Sequence, residues 1–289
     1  MRNTIQNTAR KREQEEKLNT LLEEFKEDSV QYRDLETGDD YEEKRMALRS
    51  LMNIRMPGPM KEDVIRIQDE FLQEEAREKG IVTLDQIPTA AEQYGCTHPA
   101  AEKISVWQGD ITRLQAGAIV NAANSQMLGC FVPCHKCIDN AIHSAAGIEL
   151  REACSHYMNR RKMQYGSRYE EPVGQAVLTK GYNLPAEHVI HTVGPIVYGS
   201  LNQKLKDDLE SCYRNVLECC RENGIRSVAF CCISTGEFHF PNEEAAKIAV
   251  TAVVRFLDRY GSDFDRVIFN VFKETDRELY ERKMRNLSL

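Results

Sequence analysis

Ala118-Ile119-Val120-Asn121-Ala122-Ala123-Asn124 is an apolar, β-rich run that ends in two amides and two small residues. The loop after it, Gly129-Cys130-Phe131-Val132-Pro133-Cys134-His135-Lys136-Cys137-Ile138-Asp139-Asn140, places three cysteines and a histidine within eight positions, with an aspartate two residues on. A helical pattern then runs from Cys137 to Arg160. The alternation of strand and helix extends in both directions. Further strands are expected at Ile104–Gln108, Ala176–Lys180, His188–Thr192, Val228–Ile233 and Val267–Val271, with the first strand itself at Ala118–Asn121. Further helices are expected at Leu205–Asn223, Glu243–Tyr260 and Asp276–Met284. Short strands interleaved with longer helices indicate a three-layer α/β domain around a central, mostly buried sheet.

This pattern starts near Lys103, so a domain is expected over residues 101–289. Upstream, residues 41–100 read as a helical extension packing on it. Arg45–Met52 is helical in pattern and is ended by Met56-Pro57-Gly58-Pro59. A helix from Lys61 to Lys79 carries Val64, Ile67, Phe71 and Leu72 as its apolar stripe, with Gly80 placed to cap it. Asp85 to Pro99 reads as a linker or irregular packing segment. Residues 1–40 form a charged N-terminal arm. In it Leu18, Leu21, Leu22 and Phe25 recur at helical spacing, so both an amphipathic helix and a solvated disordered arm fit the pattern.

The chain has 289 residues, 42% hydrophobic and 29% charged, with a formal net charge of −7. An acidic balance argues against general binding to nucleic-acid backbone, which needs a basic face. It leaves room for a small anionic ligand held by backbone N–H groups. No apolar run approaches a membrane span. Met1-Arg2-Asn3-Thr4-Ile5 leads into charge, with no secretory signal to be seen. Cys219-Cys220 and Cys231-Cys232 lie in apolar segments where buried thiols are common. A reducing, cytoplasmic setting is the expectation.

Ligands of open α/β sheets bind beyond the carboxyl ends of the strands, and three features sit at such ends. Gln108-Gly109-Asp110-Ile111-Thr112 offers a carboxylate for an exocyclic amine, although spacing alone favours an N-cap for the next turn. Asn121 to Asn124 offers amides suited to ribose hydroxyls, although Asn is also common in turns. Ile233-Ser234-Thr235-Gly236-Glu237-Phe238 exposes consecutive N–H groups and hydroxyls suited to a diphosphate. It is not a Walker loop, since the Gly-Lys-Ser/Thr element is missing.

As a set these residues resemble the macrodomains, which recognise ADP-ribose. Ile142-His143, Ala146-Gly147 and His191-Thr192-Val193-Gly194-Pro195 complete the match, which covers about Lys103 to Met284. Common hydrolytic macrodomains carry a run of glycines before an aspartate. The Cys-His-Cys loop that replaces the run here resembles microbial zinc-dependent macrodomains, which are protein-ADP-ribose hydrolases with a helical N-terminal extension. Leu48-Arg49-Ser50-Leu51-Met52-Asn53 and Ile81-Val82-Thr83-Leu84 look like parts of that extension.

The resemblance implies a three-layer α/β/α macrodomain with a central mixed sheet. Asp110 and the Ile111 backbone would bind the adenine. Ser234, Thr235, Gly236, Glu237 and Phe238 would line the diphosphate and ribose path. Cys130, His135 and Cys137 would hold Zn²⁺. Asp139 and Asn124 would be catalytic, Asn124 by contacting the distal ribose and Asp139 by holding that sugar or acting as general base. The implied activity is removal of mono-ADP-ribose from protein side chains, acidic ones foremost. A sirtuin-like ADP-ribosyltransferase would share its pathway, and neither nucleic acid nor membrane is an expected partner.

Three protein ligands leave an open, catalytic position on zinc, whereas four make a closed structural site. Cys134 would be the fourth. It directly precedes His135, Pro133 restricts the backbone before it, and one short loop rarely supplies four tetrahedral ligands. The three-ligand site is therefore preferred, ahead of the closed site and of a redox dithiol. Attack at the anomeric carbon and attack at an acyl carbon both stay open. Alternatives of another class are an ADP-ribose-binding module with structural zinc and an O-acetyl-ADP-ribose deacetylase. As bland readings, Asp139 is a first-turn helix carboxylate, His143 and His191 are packing residues, and Trp107 belongs to the core.

Overall fold

The computed structural model describes residues 2–287, with side chains from residue 8 onward. Residue 1 and residues 288 and 289, at the outer limits of the expected arm and domain, lie outside them. Helix α1 spans Arg2–Asp28, α2 Tyr41–Ile54 and α3 Glu62–Lys79. The stretch from Gln14 to Phe25 is therefore not a solvated arm. Leu18, Leu21, Leu22 and Phe25 are buried against Leu48, Leu51 and Met52 of α2 and Val64, Phe71 and Leu72 of α3. The leucine spacing puts all four on one stripe, and that stripe needs a partner surface. The boundary expected between residues 40 and 41 thus falls inside one packing unit.

Strand β1 (Val82–Thr83) and helix α4 (Ala90–Tyr94) follow. The stretch read as a linker is more ordered than expected, because Thr89 and Glu92 form a capping box that starts α4. Next come β2 (Ile104–Gln108), β3 (Leu114–Gln115, paired with β1) and β4 (Ala118–Ala123). After the cysteine loop lie α5 (Ile138–Ala146), α6 (Ile148–Tyr165), β5 (Ala176–Lys180) and β6 (His188–Val193). The chain continues with α7 (Gln203–Glu222), β7 (Ser227–Phe230), α8 (Asn242–Tyr260), β8 (Arg266–Val271) and α9 (Glu274–Arg285). The helix expected over Cys137–Arg160 is two helices. Gly147 separates them at φ 98°, a conformation open to glycine and strained for other residues.

The sheet runs β2-β8-β7-β4-β6-β5, parallel throughout except for the edge strand β5, which is antiparallel to β6. Helices flank it as a three-layer α/β/α domain, with α5 packed on β4 and α6 on β5. Helices α7, α8 and α9 form a continuous second layer. The central strands are buried along nearly their whole length, which is why they read as apolar runs with little alternation. Parallel pairing has one consequence for function. The carboxyl ends of β2, β4, β6, β7 and β8 all emerge at the same edge of the sheet. Among the described residues no helix is long and apolar enough to cross a membrane.

Candidate active site and metal centre

Every loop singled out in the sequence leaves that one edge. Asp110 follows β2, Asn124 and the cysteine loop follow β4, and Ser234 to Phe238 follow β7. Asp110 caps its turn by accepting from the Thr112 backbone N–H at 2.9 Å and the Thr112 hydroxyl at 2.7 Å. Both bonds fall on Oδ1, so Oδ2 takes no part in holding the turn. Capping and ligand binding are therefore compatible roles for Asp110.

Phe272, just past β8, carries no motif that would mark it in the sequence. It is 78% exposed, and its carbonyl accepts from Gln108 Nε2 at 3.2 Å, which ties it to the Asp110 loop. A large apolar ring left in solvent beside a loop end is the signal that exposure, and not sequence, supplies.

The loop of residues 233–238 is bent sharply. Ser234 has φ 65° and its buried hydroxyl has no hydrogen-bond partner. A Cβ built on Gly236 would meet no atom within 4 Å, so the space above this turn is open. Phe240 is buried and belongs to the core. The Glu237 side chain is largely exposed, and its carboxylate lies 3.8 Å from His135 Nε2, beyond hydrogen-bond distance.

The cysteine loop has no regular secondary structure, and φ values of 63° at Met127, 79° at Gly129 and 51° at Cys134 fold it tightly. Gly129 is the tightest point, where an added Cβ would lie 2.9 Å from the His143 ring. Asn124 supports the turn by accepting from Gln126 N at 3.0 Å and donating to Gly129 O at 3.4 Å. A ribose hydroxyl would share this amide with the loop.

The fold brings Cys130, His135 and Cys137 together. Their donor atoms all lie within 4.8 Å of one another, and all three residues are half-buried. Cys130 Sγ sits 3.6 Å from His135 Nδ1. Tetrahedral zinc with bonds of about 2.0–2.3 Å needs donors about 3.5–3.8 Å apart, so the set fits such an ion after small adjustments. The electrostatics fit as well. Burial pushes the Cys137 thiol up to about 12, and the neighbouring Cys130 adds to the rise. A divalent cation would remove that penalty. Cys137 also caps α5, its sulfur accepting from Asn140 N at 3.3 Å, so the helix dipole favours its thiolate.

Cys134 is not part of the group. Its sulfur lies 3.3 Å from Ser50 Oγ and 3.5 Å from Met46 O, against α2. Among the described residues all ten cysteines are free.

Asp139 stands in the first turn of α5 and is 6% exposed. Burial raises its carboxyl to about 6, opposed by the hydrogen bond from Asn121. Asn121 Nδ2 donates to Asp139 Oδ1 at 2.8 Å and lies 3.1 Å from His191 Nδ1. His191 reaches Thr179 Oγ1 at 3.0 Å with its other nitrogen. Asn121 thus holds Asp139 from below and is itself held by a buried histidine. The signal in the sequence was an amide inside an otherwise apolar strand, which must find partners when buried. His143 is fully buried, with Nε2 3.5 Å from Asp139 Oδ1. Burial holds its ring well below its ordinary value, and it stays neutral. Trp107 packs beside Gly109 at the edge of the core.

A mixed sheet with ligand loops at one edge and a Cys-His-Cys group beside them defines an α/β protein that receives its ligand across the strand ends. Comparison with known proteins is specific. The Macro domain family model matches residues 120–249. The chain is 42% identical over 272 residues to the protein-ADP-ribose hydrolase of Treponema medium, spanning 94% of this chain and 99% of that one. It is 40% identical over 234 residues to the protein-ADP-ribose hydrolase of Staphylococcus aureus strain MSSA476, spanning 81% and 82%. The solved Trypanosoma brucei macrodomain in complex with ADP-ribose is 30% identical, with a TM-score of 0.59 over 81% of this chain and 94% of that chain. The chain belongs to the macro domain family.

Proposed function

We propose that this protein is a zinc-dependent hydrolase that releases ADP-ribose from a modified protein side chain, an acidic one foremost. The observation that carries the reading is the three-donor group Cys130, His135 and Cys137, placed beside the buried Asp139 at the edge where the nucleotide loops emerge. Its relatives from Treponema medium and Staphylococcus aureus carry the name of that activity.

On this reading Asp110 accepts from the adenine amine and Phe272 stacks on the ring. The amides of residues 234–236 take the diphosphate, where Gly236 leaves room for close approach. The distal ribose then lies over Asn124 and Asp139. Zinc held by Cys130, His135 and Cys137 would supply a Lewis acid at the distal ribose. Asn121 fixes the Asp139 carboxylate, which in its ionised form holds a ribose hydroxyl or takes the proton from the attacking water. Departure of the protein carboxylate from the sugar builds positive charge on the ring, and the Asp139 anion stabilises it. The substrate must be supplied by a reaction that transfers ADP-ribose to protein.

The test is release of ADP-ribose from a mono-ADP-ribosylated protein before and after EDTA. Turnover should vanish on chelation and return with added Zn²⁺. Full turnover by verified zinc-free protein would refute the metal's role. Tight ADP-ribose binding without turnover in the zinc-loaded protein would refute the hydrolase.

A further inference from the structure

We propose, on the basis of the reading above, that the N-terminal helical unit is the mould for the metal loop, and that Arg151 is the positioning residue that fastens the two together. Arg151 lies on α6, remote in sequence from both parts it joins. It is 5% exposed, yet each of its hydrogen-bond acceptors is a backbone carbonyl. Nη1 donates to Met52 O at 3.1 Å, Asn53 O at 2.7 Å and Arg55 O at 2.7 Å. These are carbonyls at the end of α2, which no intrahelical N–H satisfies and where a cation is favoured. From the other side of the guanidinium, Nε donates to Leu128 O at 2.7 Å and Nη2 to Cys130 O at 3.3 Å. The Phe131 ring stacks on the guanidinium at 4.2 Å. One planar cation therefore grips the residues before, at and after the first zinc donor.

Helix α2 makes the remaining attachments. Asn53 Oδ1 accepts from Cys134 N at 2.9 Å, and its Nδ2 donates to Ser144 Oγ on α5 at 2.9 Å. Arg49 Nη2 donates to Asn140 Oδ1 at 2.6 Å, just past the third donor. The loop has no ladder or helix of its own, only short turns such as His135 N to Val132 O at 3.2 Å, and these side-chain bonds tie those turns to the rest of the fold. Only arginine offers N–H groups in a fork wide enough to serve both sides, and lysine has a single point of attachment.

The experiment compares Arg151→Lys with the unaltered full chain. In metal-free protein, amide hydrogen exchange over residues 128–137 should be about tenfold or more faster, the cost of a lost charge-assisted bond. In zinc-loaded protein, release of zinc to a chromophoric chelator should quicken about 10- to 100-fold, as for other groups that orient metal ligands. kcat should fall with KM for the modified protein nearly unchanged. Loop exchange and zinc release at the unaltered rates would overturn the proposal, even with a lowered melting temperature. Should Arg151→Lys not fold, Arg49→Ala and Asn53→Ala take its place in both measurements: faster loop exchange and zinc release support the proposal, and unaltered rates overturn it. If the hydrolase reading itself is wrong, turnover is absent or zinc-independent in the unaltered chain, while loop exchange still responds to Arg151→Lys.

Discussion

At the scale of single residues, the cysteine loop separates donors from neighbours. Cys130→Ala or His135→Ala should cut zinc affinity about 100-fold or more and activity with it, measured as metal content and turnover. Cys134→Ser should leave both intact, because its sulfur packs on Ser50 and Met46 and not on the donor group. Zinc loss in Cys134→Ser would mean that the closed four-ligand site forms. Asp110→Ala should weaken ADP-ribose binding roughly 10- to 100-fold in calorimetry with zinc retained, the range for a lost hydrogen bond to a charged group. The types and order of these residues were legible in the sequence. The partner that holds Asp139, the buried Asn121, was not, because such pairing depends on a distance between separate elements.

At the scale of elements, α1 has the composition of a solvated segment but the packing of a core helix. Some of its described charged residues face outward, as in the pair Arg12–Glu16, while others such as Arg10 and Lys17 reach across to Glu74 and Glu70 of α3. Its four buried apolar side chains account for about 6 kcal/mol or more of gross burial. Deleting residues 2–28 would uncover the stripes of α2 and α3. The truncated chain should melt well below the full one and lose helical signal, as read by circular dichroism. An unchanged melting curve would mean α1 is dispensable. Periodicity alone could not choose between arm and helix, since an amphipathic stripe is stable only where a second apolar face meets it. The two-helix form of α5 and α6 was also hidden. Gly147 looks ordinary in the sequence, and only the crowding by Gln68, Asn183 and Glu149 shows why the chain must turn there.

At the scale of the whole molecule, the buried histidines link stability to pH. Burial lowers His191 from 6.5 to about 4, so the unfolded chain takes up the proton first as pH falls. Stability is full above pH 6.5 and is lost progressively toward pH 4, by about 3 kcal/mol for this one group. His143 works in the same direction. Over the same range the buried Asp139 carboxyl, raised to about 6, binds its proton first in the folded chain and opposes this loss. The His191 contribution is therefore read as a difference: between pH 7 and pH 5 in urea unfolding, the unaltered chain should lose more stability, or gain less, than His191→Gln. An equal slope in the variant would show that His191 does not titrate on unfolding.

The sequence by itself determined the alternation of strands and helices, the loops that carry chemistry and the identity of the metal-type donors. Those are local properties, set by side-chain period and by residue type. Tertiary structure alone decided that five strand ends share one edge, that Cys134 faces α2, and that Arg151 on α6 joins the end of α2 to the metal loop. These contacts join segments far apart in the chain, and no local pattern encodes a distance that exists only once the sheet has formed.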